Sequence, residues 1–439
     1  MATVVVLGNG AAGTAAAQAY RQRVREGEVC LVSAEAPLFF SRPGLLGVGL
    51  GQTAPQDLVP LPKNHFEDAD IRCIQEECTG IDAGAREVHL ASGRVLPYDR
   101  LVLAWGLSPR ELDVPLETDG TEAVLRLHGW EDGPRLAVQR GSRWGVLGGG
   151  WIGAELAEIA AFRGVEVDWW MRGPYPGAPW VAPEEGAALL RRLRGPRFRI
   201  HTGFTLEALR CEAGVWHITG RLGDGAPARF AVDAFAAGIG VAPDLTRWRA
   251  LLGPGFPPDF AGPGGIRVRR DLSTLVPGIW AAGDCVDPAP WGSGLLRNWR
   301  TAQRMGQHVG RTLAAGPSTD FEPGIAQVDA RIFDRTFVQW GAGFETPAKD
   351  ASSVSGWWDP ARLQGVRFHW HPDDTLRGVA TWDWRLKPAP VLAAIRAGLS
   401  PPQVAAEWTR WSHEPPFSDK PWAEATCALL EGQTHSPTA

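Results

Sequence analysis

The chain has 439 residues, which is too long for one compact hydrophobic core, so two or three domains are expected. Its composition is ordinary for a globular protein, with 44% hydrophobic and 21% charged residues, and its net charge of −5 offers no basic surface for nucleic acid or an anionic membrane. No stretch reaches the roughly 18 to 20 apolar residues that a transmembrane helix needs, so no membrane span is predicted.

The first predicted strand, Thr3–Leu7, runs directly into a GxGxxG turn that opens a helix. No charged region precedes this strand, so it is interpreted as buried and not as part of a signal peptide. The turn comprises Gly8, Asn9, Gly10, Ala11, Ala12 and Gly13. Its glycines permit a tight turn, a close approach to a pyrophosphate and packing of helix on strand, and the N–H groups of the helix N-terminus face the phosphates. The next strand, Val29–Ser33, leads to Glu35. This is about the position at which a dinucleotide-binding motif carries an acid that hydrogen-bonds a ribose diol. The alternative is a glycine-rich turn that binds nothing.

Cysteines are scattered along the chain, at positions 30, 73, 78, 211, 285 and 427, without a CxxC pair. The nearest two, Cys73 and Cys78, are interpreted as part of a strand and the turn after it. Buried free thiols in a reducing compartment are therefore expected, and the cytoplasm is the predicted location.

A second strand, turn and helix repeat the first device. Strand Trp144–Leu147 leads into a turn made of Gly148, Gly149, Gly150, Trp151, Ile152 and Gly153, and a further strand spans Val165–Trp170. Two such turns in one chain predict that two dinucleotides meet, and hydride transfer between nicotinamide and flavin is the reason to bring them together. The ribose acid is replaced here by Met171 and Arg172. Arg172 is interpreted either as a ligand of the NADPH 2′-phosphate or as a surface arginine.

After a breaker at residues 314–318, residues 318–439 form a third predicted unit. Its elements are predicted as strands at Phe337–Gly341 and Leu376–Thr381 and a helix at Val391–Ala397 that ends at Gly398. Nine tryptophans lie here (340, 357, 358, 370, 382, 384, 408, 411 and 422), and most are expected in a core or an interface. His369 and His371 share a strand face, but no further ligand accompanies them, so no metal site is predicted.

Three further segments match motifs of a known family. They are Tyr98–Arg110 (YDRLVLAWGLSPR), Phe235–Pro243 (FAAGIGVAP) and Gly278–Asp284 (GIWAAGD). With the two GxGxxG turns they make five ordered motifs, which resemble those of the two-dinucleotide-binding-domain flavoprotein reductases. That group contains ferredoxin and rubredoxin reductases and the flavin domain of assimilatory nitrite reductase. The resemblance covers roughly residues 1–317.

The resemblance implies an α/β fold with two Rossmann-like dinucleotide-binding domains, one inserted in the other, and a C-terminal α/β domain. It implies an FAD-binding domain at 1–109 and 241–317 and an NAD(P)H-binding domain at 110–240. The Trp-rich domain at 318–439 would serve packing or dimerisation.

The same resemblance, together with the two turns, assigns residues to each cofactor. For FAD these are Gly8, Gly10, Ala11, Ala12, Gly13, Glu35, Arg42, Pro43, Ala104, Gly106, Arg110, Gly283, Asp284, Trp299 and Ala302. For NAD(P)H they are Gly148, Gly150, Trp151, Ile152, Gly153, Glu155, Arg172, Gly238 and Gly240. Glu155, Trp299 and Arg42 are the candidates for a direct part in catalysis.

Asp284 is expected at the ribityl or phosphate region of FAD, with a buried capping aspartate as the alternative. Arg42 and Pro43 resemble the "RPxLS" loop beside the isoalloxazine, although Gly47 and Val48 stand where ferredoxin reductases carry a lysine. Segment 296–303 resembles the helix that abuts the flavin. Trp299 in it is either a wall of the flavin pocket or a core tryptophan. Glu155 either orders the nicotinamide ring or only favours the helix dipole.

The stretch Phe39–Gly51 contains no cysteine, whereas disulfide reductases of the wider superfamily carry a redox pair there. Electrons on the reduced flavin are therefore expected to leave directly to an acceptor. Arg297, Arg300 and Arg304 have the spacing of one helical face and are interpreted either as a docking patch for an acidic redox protein or as a solvated or phosphate-facing arginine face.

The predicted function is an FAD-dependent NAD(P)H oxidoreductase that passes hydride from nicotinamide to flavin and then electrons to a redox protein such as a ferredoxin or rubredoxin. The alternatives are an NAD(P)H oxidase or small-molecule reductase, and a flavin-bound interaction protein like the apoptosis-inducing flavoproteins. A homodimer through the C-terminal domain is a further hypothesis. The acceptor and the choice between NADH and NADPH stay open.

Overall fold

The computed structural model describes residues 2–178, 180–292, 297–316, 319–341, 353–411 and 434–435. Several features of the sequence lie outside the described residues: Leu296 of the flavin-abutting segment, Pro317 and Ser318 of the breaker, Trp422 and Cys427.

The strands are β1 Val4–Leu7, β2 Val29–Ser33, β3 Arg72–Gln75, β4 Cys78–Asp82, β5 Glu87–Leu90, β6 Val95–Pro97, β7 Arg100–Leu103, β8 Ser108–Pro109, β9 Leu116–Thr118, β10 Arg143–Leu147, β11 Glu166–Met171, β12 Phe198–Thr202, β13 Thr205–Glu212, β14 Val215–Arg221, β15 Pro227–Val232, β16 Ala234–Ala237, β17 Val241–Ala242, β18 Ala261–Gly262, β19 Gly265–Ile266, β20 Ile279–Ala281, β21 Gln327–Ile332, β22 Arg335–Gly341, β23 Val354–Asp359, β24 Gln364–Trp370, β25 Leu376–Trp382 and β26 Thr434–His435. The α-helices are α1 Ala11–Arg21, α2 Leu45–Gly49, α3 Lys63–Asp68, α4 Asp132–Val138, α5 Trp151–Phe162, α6 Pro183–Leu193, α7 Leu245–Leu251, α8 Trp299–Ala315, α9 Pro388–Ala397 and α10 Pro401–Glu407. Short 3-10 helices span Arg42–Gly44, Pro55–Leu58, Ala289–Trp291 and Trp408–Trp411.

The chain divides into two compact units whose segments alternate along the sequence. The first unit comprises Met1–Arg110, His128–Ala137 and Val241–Gly324, and the second comprises Glu111–Leu127, Val138–Gly240 and Ile325–Ala439. The division into an FAD domain, an NAD(P)H domain and a separate C-terminal domain stays a prediction.

The first unit is built on a five-stranded parallel sheet in the order β20-β7-β1-β2-β3. All four residues of β1 are buried, as expected for a strand with helices on both faces of its sheet. Helix α8 packs closely on α1 through small residues. The contact leaves no room for a side chain at Gly306, where a Cβ would lie 2.0 Å from the carbonyl oxygen of Ala12. This close packing brings the start of α8 to the carboxyl end of β1.

The second unit contains a four-stranded parallel sheet in the order β12-β11-β10-β16, which repeats the arrangement around β1. The predicted α/β class with two Rossmann-like sheets is therefore confirmed. The strand predicted from Val165 is β11, and its side chains are buried from Val167 to Met171.

The C-terminal part of the second unit is a six-stranded sheet in the order β21-β22-β25-β24-β23-β26. The predicted strands at 337–341 and 376–381 are confirmed as β22 and β25. The predicted helix is α9, and it ends at Gly398 in the left-handed conformation. The described tryptophans of this segment are all buried, which agrees with the expectation that most lie in a core or an interface: Trp340, Trp357, Trp358, Trp370, Trp382, Trp384, Trp408 and Trp411.

Candidate cofactor-binding site

A cavity of about 470 Å³ opens at the carboxyl ends of the parallel strands of the first unit, where ligands of open α/β sheets bind. Thirteen residues predicted from the sequence line it: Gly8, Gly10, Ala11, Ala12, Glu35, Arg42, Pro43, Ala104, Gly106, Gly283, Asp284, Trp299 and Ala302. Two predicted residues lie outside the described lining. Gly13 packs behind the turn, and Arg110 is exposed.

The first glycine turn has the geometry that a pyrophosphate requires. Gly8 has a φ of +104°, and a Cβ there would lie 2.2 Å from the carbonyl oxygen of Ala104 on the neighbouring strand. A Cβ at Gly13 would lie 1.8 Å from the carbonyl oxygen of Gly8, so helix and turn are in direct contact. A Cβ at Gly10 would meet no atom within 4 Å, although Gly10 lines the cavity. Gly10 is also the N-cap of α1 and provides no side chain to occupy the free N–H groups.

Glu35 is held by two donors at the edge of the cavity. The Arg42 guanidinium lies 2.5 Å from its carboxylate, and the backbone N–H of Trp130 donates to Glu35 Oε1 at 2.8 Å. Arg42 also donates to the carbonyl of His128 and lies over the Phe40 ring, 4.9 Å from its centroid. The guanidinium of Arg42 is thus beside the acid that the Rossmann fold uses for a ribose, and a catalytic role for Arg42 stays a prediction.

Asp284 provides the clearest sign of a missing polar partner. Its Oδ1 is buried and has no hydrogen-bond partner among the described residues. Burial raises the pKa of this carboxyl to about 6, although the charges of Arg297 and Arg42 oppose the change. A polar ligand in the cavity would satisfy this atom, and the polar groups of FAD fit that requirement together with the open space at Gly10.

Trp299 and Ala302 reach the cavity from the first turn of α8. Asn298 caps this helix by accepting a hydrogen bond from the Thr301 N–H at 2.9 Å. The side chain of Trp299 is 45% exposed while it lines the cavity, so it is a wall of the site and not a core residue.

The cap also corrects the predicted arginine face. Because α8 begins at Trp299, Arg297 precedes the helix and does not share a helical face with Arg300 and Arg304. Arg297 donates to the carbonyl of Gly264. Arg304 donates to the carbonyls of Glu322 and Pro323 and therefore fastens the chain after α8.

Sequence reasoning missed several residues of the cavity lining. Among them are Cys78, Trp105, Arg247 and Trp248, and the two indole rings lie 5.7 Å apart. A signal existed for Trp105, because it stands at the threonine position of the family's "YDxLVLATG" motif. No local signal exists for α7, which carries Arg247 and Trp248 to the cavity from far along the chain.

The second glycine turn repeats the geometry of the first. Gly148 has a φ of +125°, and a Cβ there would lie 2.2 Å from the carbonyl oxygen of Gly238. A Cβ at Gly153 would lie 2.0 Å from the carbonyl oxygen of Gly148, and a Cβ at Gly150 would meet nothing within 4 Å. Gly240, also predicted for this site, lies two residues after Gly238 and has a φ of +92°. The second turn therefore has the same open approach for a pyrophosphate.

Strand β11 ends beside this turn. Trp169 Nε1 donates to the carbonyl oxygen of Gly148 at 2.7 Å, a contact that the sequence did not suggest. Met171 stands in place of the ribose acid and is buried. Arg172 is exposed to solvent. Arg172 is therefore available to an anionic ligand.

Glu155 and Glu158 lie on neighbouring turns of α5. Burial and the charge of Glu158 raise the pKa of Glu155 to about 7. Glu158 is buried and forms an ion pair with Arg331 of β21. Ile152 and Trp151 are partly buried at the start of the same helix.

The other titratable candidates show no further site in the described part of the chain. Described cysteines 30, 73, 78, 211 and 285 are free, and burial raises the pKa of Cys30 and of Cys285 to about 12. Burial and two nearby arginines lower the pKa of His369 to about 2, and the described residues contain no cluster of three potential metal ligands. No described helix has the length and apolar character needed to cross a membrane.

A family model described as pyridine nucleotide-disulphide oxidoreductase matches residues 2–306. The ferredoxin–NAD(+) reductase component of the p-cumate 2,3-dioxygenase system of Pseudomonas putida is 30% identical over 305 residues, which cover 68% of this chain and 72% of that protein. Apoptosis-inducing factor 3 of Homo sapiens is 27% identical over 405 residues, which cover 90% of this chain and 63% of the human protein. A solved ferredoxin reductase from Rhodopseudomonas palustris superimposes with a TM-score of 0.73 at 26% identity, covering 87% of this chain and 91% of its own.

Proposed function

The chain belongs to the pyridine nucleotide-disulphide oxidoreductase family, and on that premise we propose that it carries electrons from NAD(P)H to a small iron–sulfur protein of the ferredoxin type. It is an NAD(P)H-dependent flavoprotein reductase with FAD and NAD(P)H as cofactors. When bound, FAD supplies a flavin ring that accepts hydride from nicotinamide and gives electrons to a second acceptor.

The residues of the first unit bind and orient FAD. The backbone from Gly8 to Gly13 and the N-terminus of α1 receive the pyrophosphate, because this is where the cavity has open space and unused N–H groups. Glu35 receives the ribose, and Asp284 accepts a hydrogen bond that the protein alone does not provide. The residues of the second unit from Gly148 to Gly153 hold the pyrophosphate of NAD(P)H in the same manner.

The exposed indole of Trp299 is the observation that supports a protein acceptor. It lines the cavity and is 45% exposed, so this one side chain contacts both the cavity and solvent. Cys78 is the one cysteine in the described lining, and it is free, so this lining contains no disulfide to take the electrons. Direct transfer to an external one-electron carrier is the exit that these residues support, and the relative from P. putida is named for ferredoxin.

Acceptor assays test this function. Holoenzyme is mixed with NADH or NADPH under anaerobic conditions, with and without a ferredoxin from a dioxygenase system, and reduction of the ferredoxin is followed by its absorbance. We expect rapid reduction of ferredoxin and slow formation of hydrogen peroxide in air. Rapid consumption of oxygen without ferredoxin would assign an NAD(P)H oxidase instead. No turnover with ferredoxin, oxygen or ferricyanide would favour a flavin-bound interaction protein, in line with the relative named apoptosis-inducing factor 3.

Arg300 follows Trp299 in the first turn of α8 and is exposed, and in this proposal the two side chains form the face on which ferredoxin docks. Attraction between this charge and an acidic ferredoxin is screened by salt, so the reduction rate should fall with ionic strength. Arg300→Glu should slow ferredoxin reduction but not reduction of the bound flavin by NAD(P)H. Arg311→Glu, at the other end of the same helix, is the matched control and should leave both rates unchanged.

Three finer points belong to the same proposal. Arg172 favours use of NADPH as well as NADH. The free thiols suit a reducing compartment such as the cytoplasm. The third point is a homodimer formed through the C-terminal domain. Sedimentation of the holoenzyme tests the dimer.

A further inference from the structure

The C-terminal hairpin of β21 and β22 packs directly on the second glycine turn. The ring of Phe337 on β22 stacks against the indole of Trp151, with centroids 5.4 Å apart and planes 26° apart. Trp151 is the first residue of α5 and follows Gly150, the position where the backbone is open to a dinucleotide. The C-terminal segment therefore contacts the residue next to the open part of the turn.

A second contact fixes the helix that carries Trp151. Arg331 on β21 forms an ion pair with Glu158, which is two turns along α5 and buried. Removing the arginine would leave a buried carboxylate without its cation, which is a costly arrangement. Hence α5 is attached to the hairpin by an aromatic contact at its first residue and by an ion pair farther along.

The loop after β11 completes the contact. The N–H of Gly177 donates to the carbonyl oxygen of Gly149 at 2.7 Å, so this loop lies against the glycine turn. A Cβ built on Gly177 would lie 3.5 Å from both Ile332 of the hairpin and the indole of Trp151. The glycine turn, the loop, the hairpin and Trp151 thus meet at one place in the second unit.

Phe337 also packs against Trp382, which is itself hydrogen-bonded to a buried acid. The two rings lie 5.1 Å apart, and Trp382 Nε1 donates to Glu185 at 3.0 Å. Glu185 is buried and pairs with Arg367 at 2.7 Å. Side chains fixed by such a network have few alternative rotamers, so Phe337 presents a constant surface to Trp151.

We propose that Phe337 and Arg331 are positioning residues for NAD(P)H, because they set the orientation of Trp151 and of α5 at the dinucleotide turn. This role rests on the proposed function of the second unit as the NAD(P)H site. The Trp-rich C-terminal segment then contributes to nicotinamide dinucleotide binding without itself contacting the dinucleotide. Without Phe337, the indole of Trp151 gains freedom that binding must remove, which weakens affinity.

Phe337→Ala is the principal test, with Phe337→Tyr as the conservative variant. We expect Phe337→Ala to raise the KM for NAD(P)H and the Kd for NAD+ or NADP+ about tenfold, with kcat at saturating coenzyme changed less than about twofold. Phe337→Tyr should restore most of the affinity, since it keeps the ring. Val338→Ala is the matched control, because Val338 is the next residue of β22 and packs against the C-terminal core.

A purely structural role of Phe337 predicts a different pattern. It would lower FAD content and thermal stability in Phe337→Ala without a specific loss of NAD+ or NADP+ affinity. Unchanged Kd values in a folded Phe337→Ala protein would overturn the proposal.

Arg331→Gln provides a second route that leaves the aromatic core intact, because Arg331 is about half exposed. It should raise the same KM and Kd by about threefold or more while FAD content stays at the wild-type level. If Phe337→Ala does not fold, an unchanged Kd in Arg331→Gln would overturn the proposal. A wild-type protein that binds neither NAD+ nor NADP+ would contradict the proposed function and not the positioning role specifically.

Discussion

Arg42 and Glu35 form an ion pair of 2.5 Å in the lining of the cavity of the first unit, so the carboxylate that a ribose requires is already oriented by a guanidinium. Both side chains are partly exposed, so the pair gains little for folding itself. Its effect should therefore appear in cofactor binding. Arg42→Ala should raise the Kd of FAD about tenfold, equivalent to about 1.4 kcal/mol, measured by flavin fluorescence on reconstitution.

The matched control is Arg72→Ala, which removes an arginine that is also partly exposed from its ion pair with Glu28 outside the cavity lining. This variant should bind FAD like the wild-type protein. Equal FAD affinity in the Arg42 and Arg72 variants would show that Arg42 does not orient Glu35 for the cofactor.

The glycines of the first turn should separate FAD binding from folding. A Cβ at Gly10 has no neighbour within 4 Å, so Gly10→Val can fold, but its side chain fills the space where the backbone approaches a pyrophosphate. We expect a colourless protein with near wild-type secondary structure and a cooperative unfolding transition. Gly13→Val should instead fail to fold, because its Cβ would lie 1.8 Å from a carbonyl oxygen. Full flavin occupancy in purified Gly10→Val protein would contradict the assignment of this turn to FAD.

The two turns could be predicted because strand, glycines and helix follow one another directly, and the first and third glycine of each turn have a local steric reason. Glu35 was predictable for the same reason, since it stands at a fixed distance after the turn. The ion pair between Glu35 and Arg42 was not predictable, because it depends on how the loop after β2 folds back. The residues of α7 that line the cavity were also missed, since tertiary packing alone brings Arg247 and Trp248 there.

The arginine face on α8 failed for a different reason. The spacing of residues 297, 300 and 304 fits a helix, but periodicity does not determine where a helix begins. Asn298 caps α8 and leaves Arg297 outside it. Asparagine is itself a helix-start signal, and Asn298 predicts a helix that begins at residue 299.

Asp284 should lower the stability of the protein without FAD in return for binding the cofactor. Its pKa is raised to about 6, so the protonated form is favoured by folding and unfolding stability falls as pH rises from about 4 to about 6. Asp284→Asn should therefore stabilise the apoprotein by on the order of 2 kcal/mol at pH 7 and by much less at pH 4. Urea unfolding of apoprotein at the two pH values measures this difference.

The same Asp284→Asn substitution should weaken FAD binding, because a carboxylate accepts a stronger hydrogen bond than an amide. Reconstitution of the apoprotein with FAD should give a Kd raised by about tenfold or more. A variant that is more stable and also binds FAD with wild-type affinity would mean that the buried Oδ1 serves another purpose.

Arg172 should determine how well NADPH is used. It is exposed at the end of β11, where an acid that would favour NADH is replaced by Met171. Arg172→Ala should raise the KM for NADPH about tenfold and leave the KM for NADH nearly unchanged, as expected for loss of one charge-assisted phosphate contact. Steady-state kinetics with ferricyanide as acceptor measure both constants. An unchanged ratio of the two KM values would make Arg172 an ordinary surface residue.

Glu155 should give the coenzyme step a pH dependence near neutrality. Burial and Glu158 raise its pKa to about 7, so the carboxyl is largely neutral at pH 6 and largely ionised at pH 8. Folding favours the protonated form, and the cost of ionising Glu155 therefore grows between about pH 4.5 and pH 7 and is constant above that. Glu155→Gln keeps the neutral state at every pH. The free energy of unfolding of this variant should be on the order of 2 kcal/mol higher than that of the wild type at pH 8, with little difference at pH 4.5.

The kinetics of Glu155→Gln should also change with pH in a different way. The profile of kcat/KM for NAD(P)H against pH reports the free enzyme, and its ionisation near pH 7 should be missing in Glu155→Gln. If the variant keeps that ionisation, another group titrates in the coenzyme step, and Glu155 contributes only to the stability of α5.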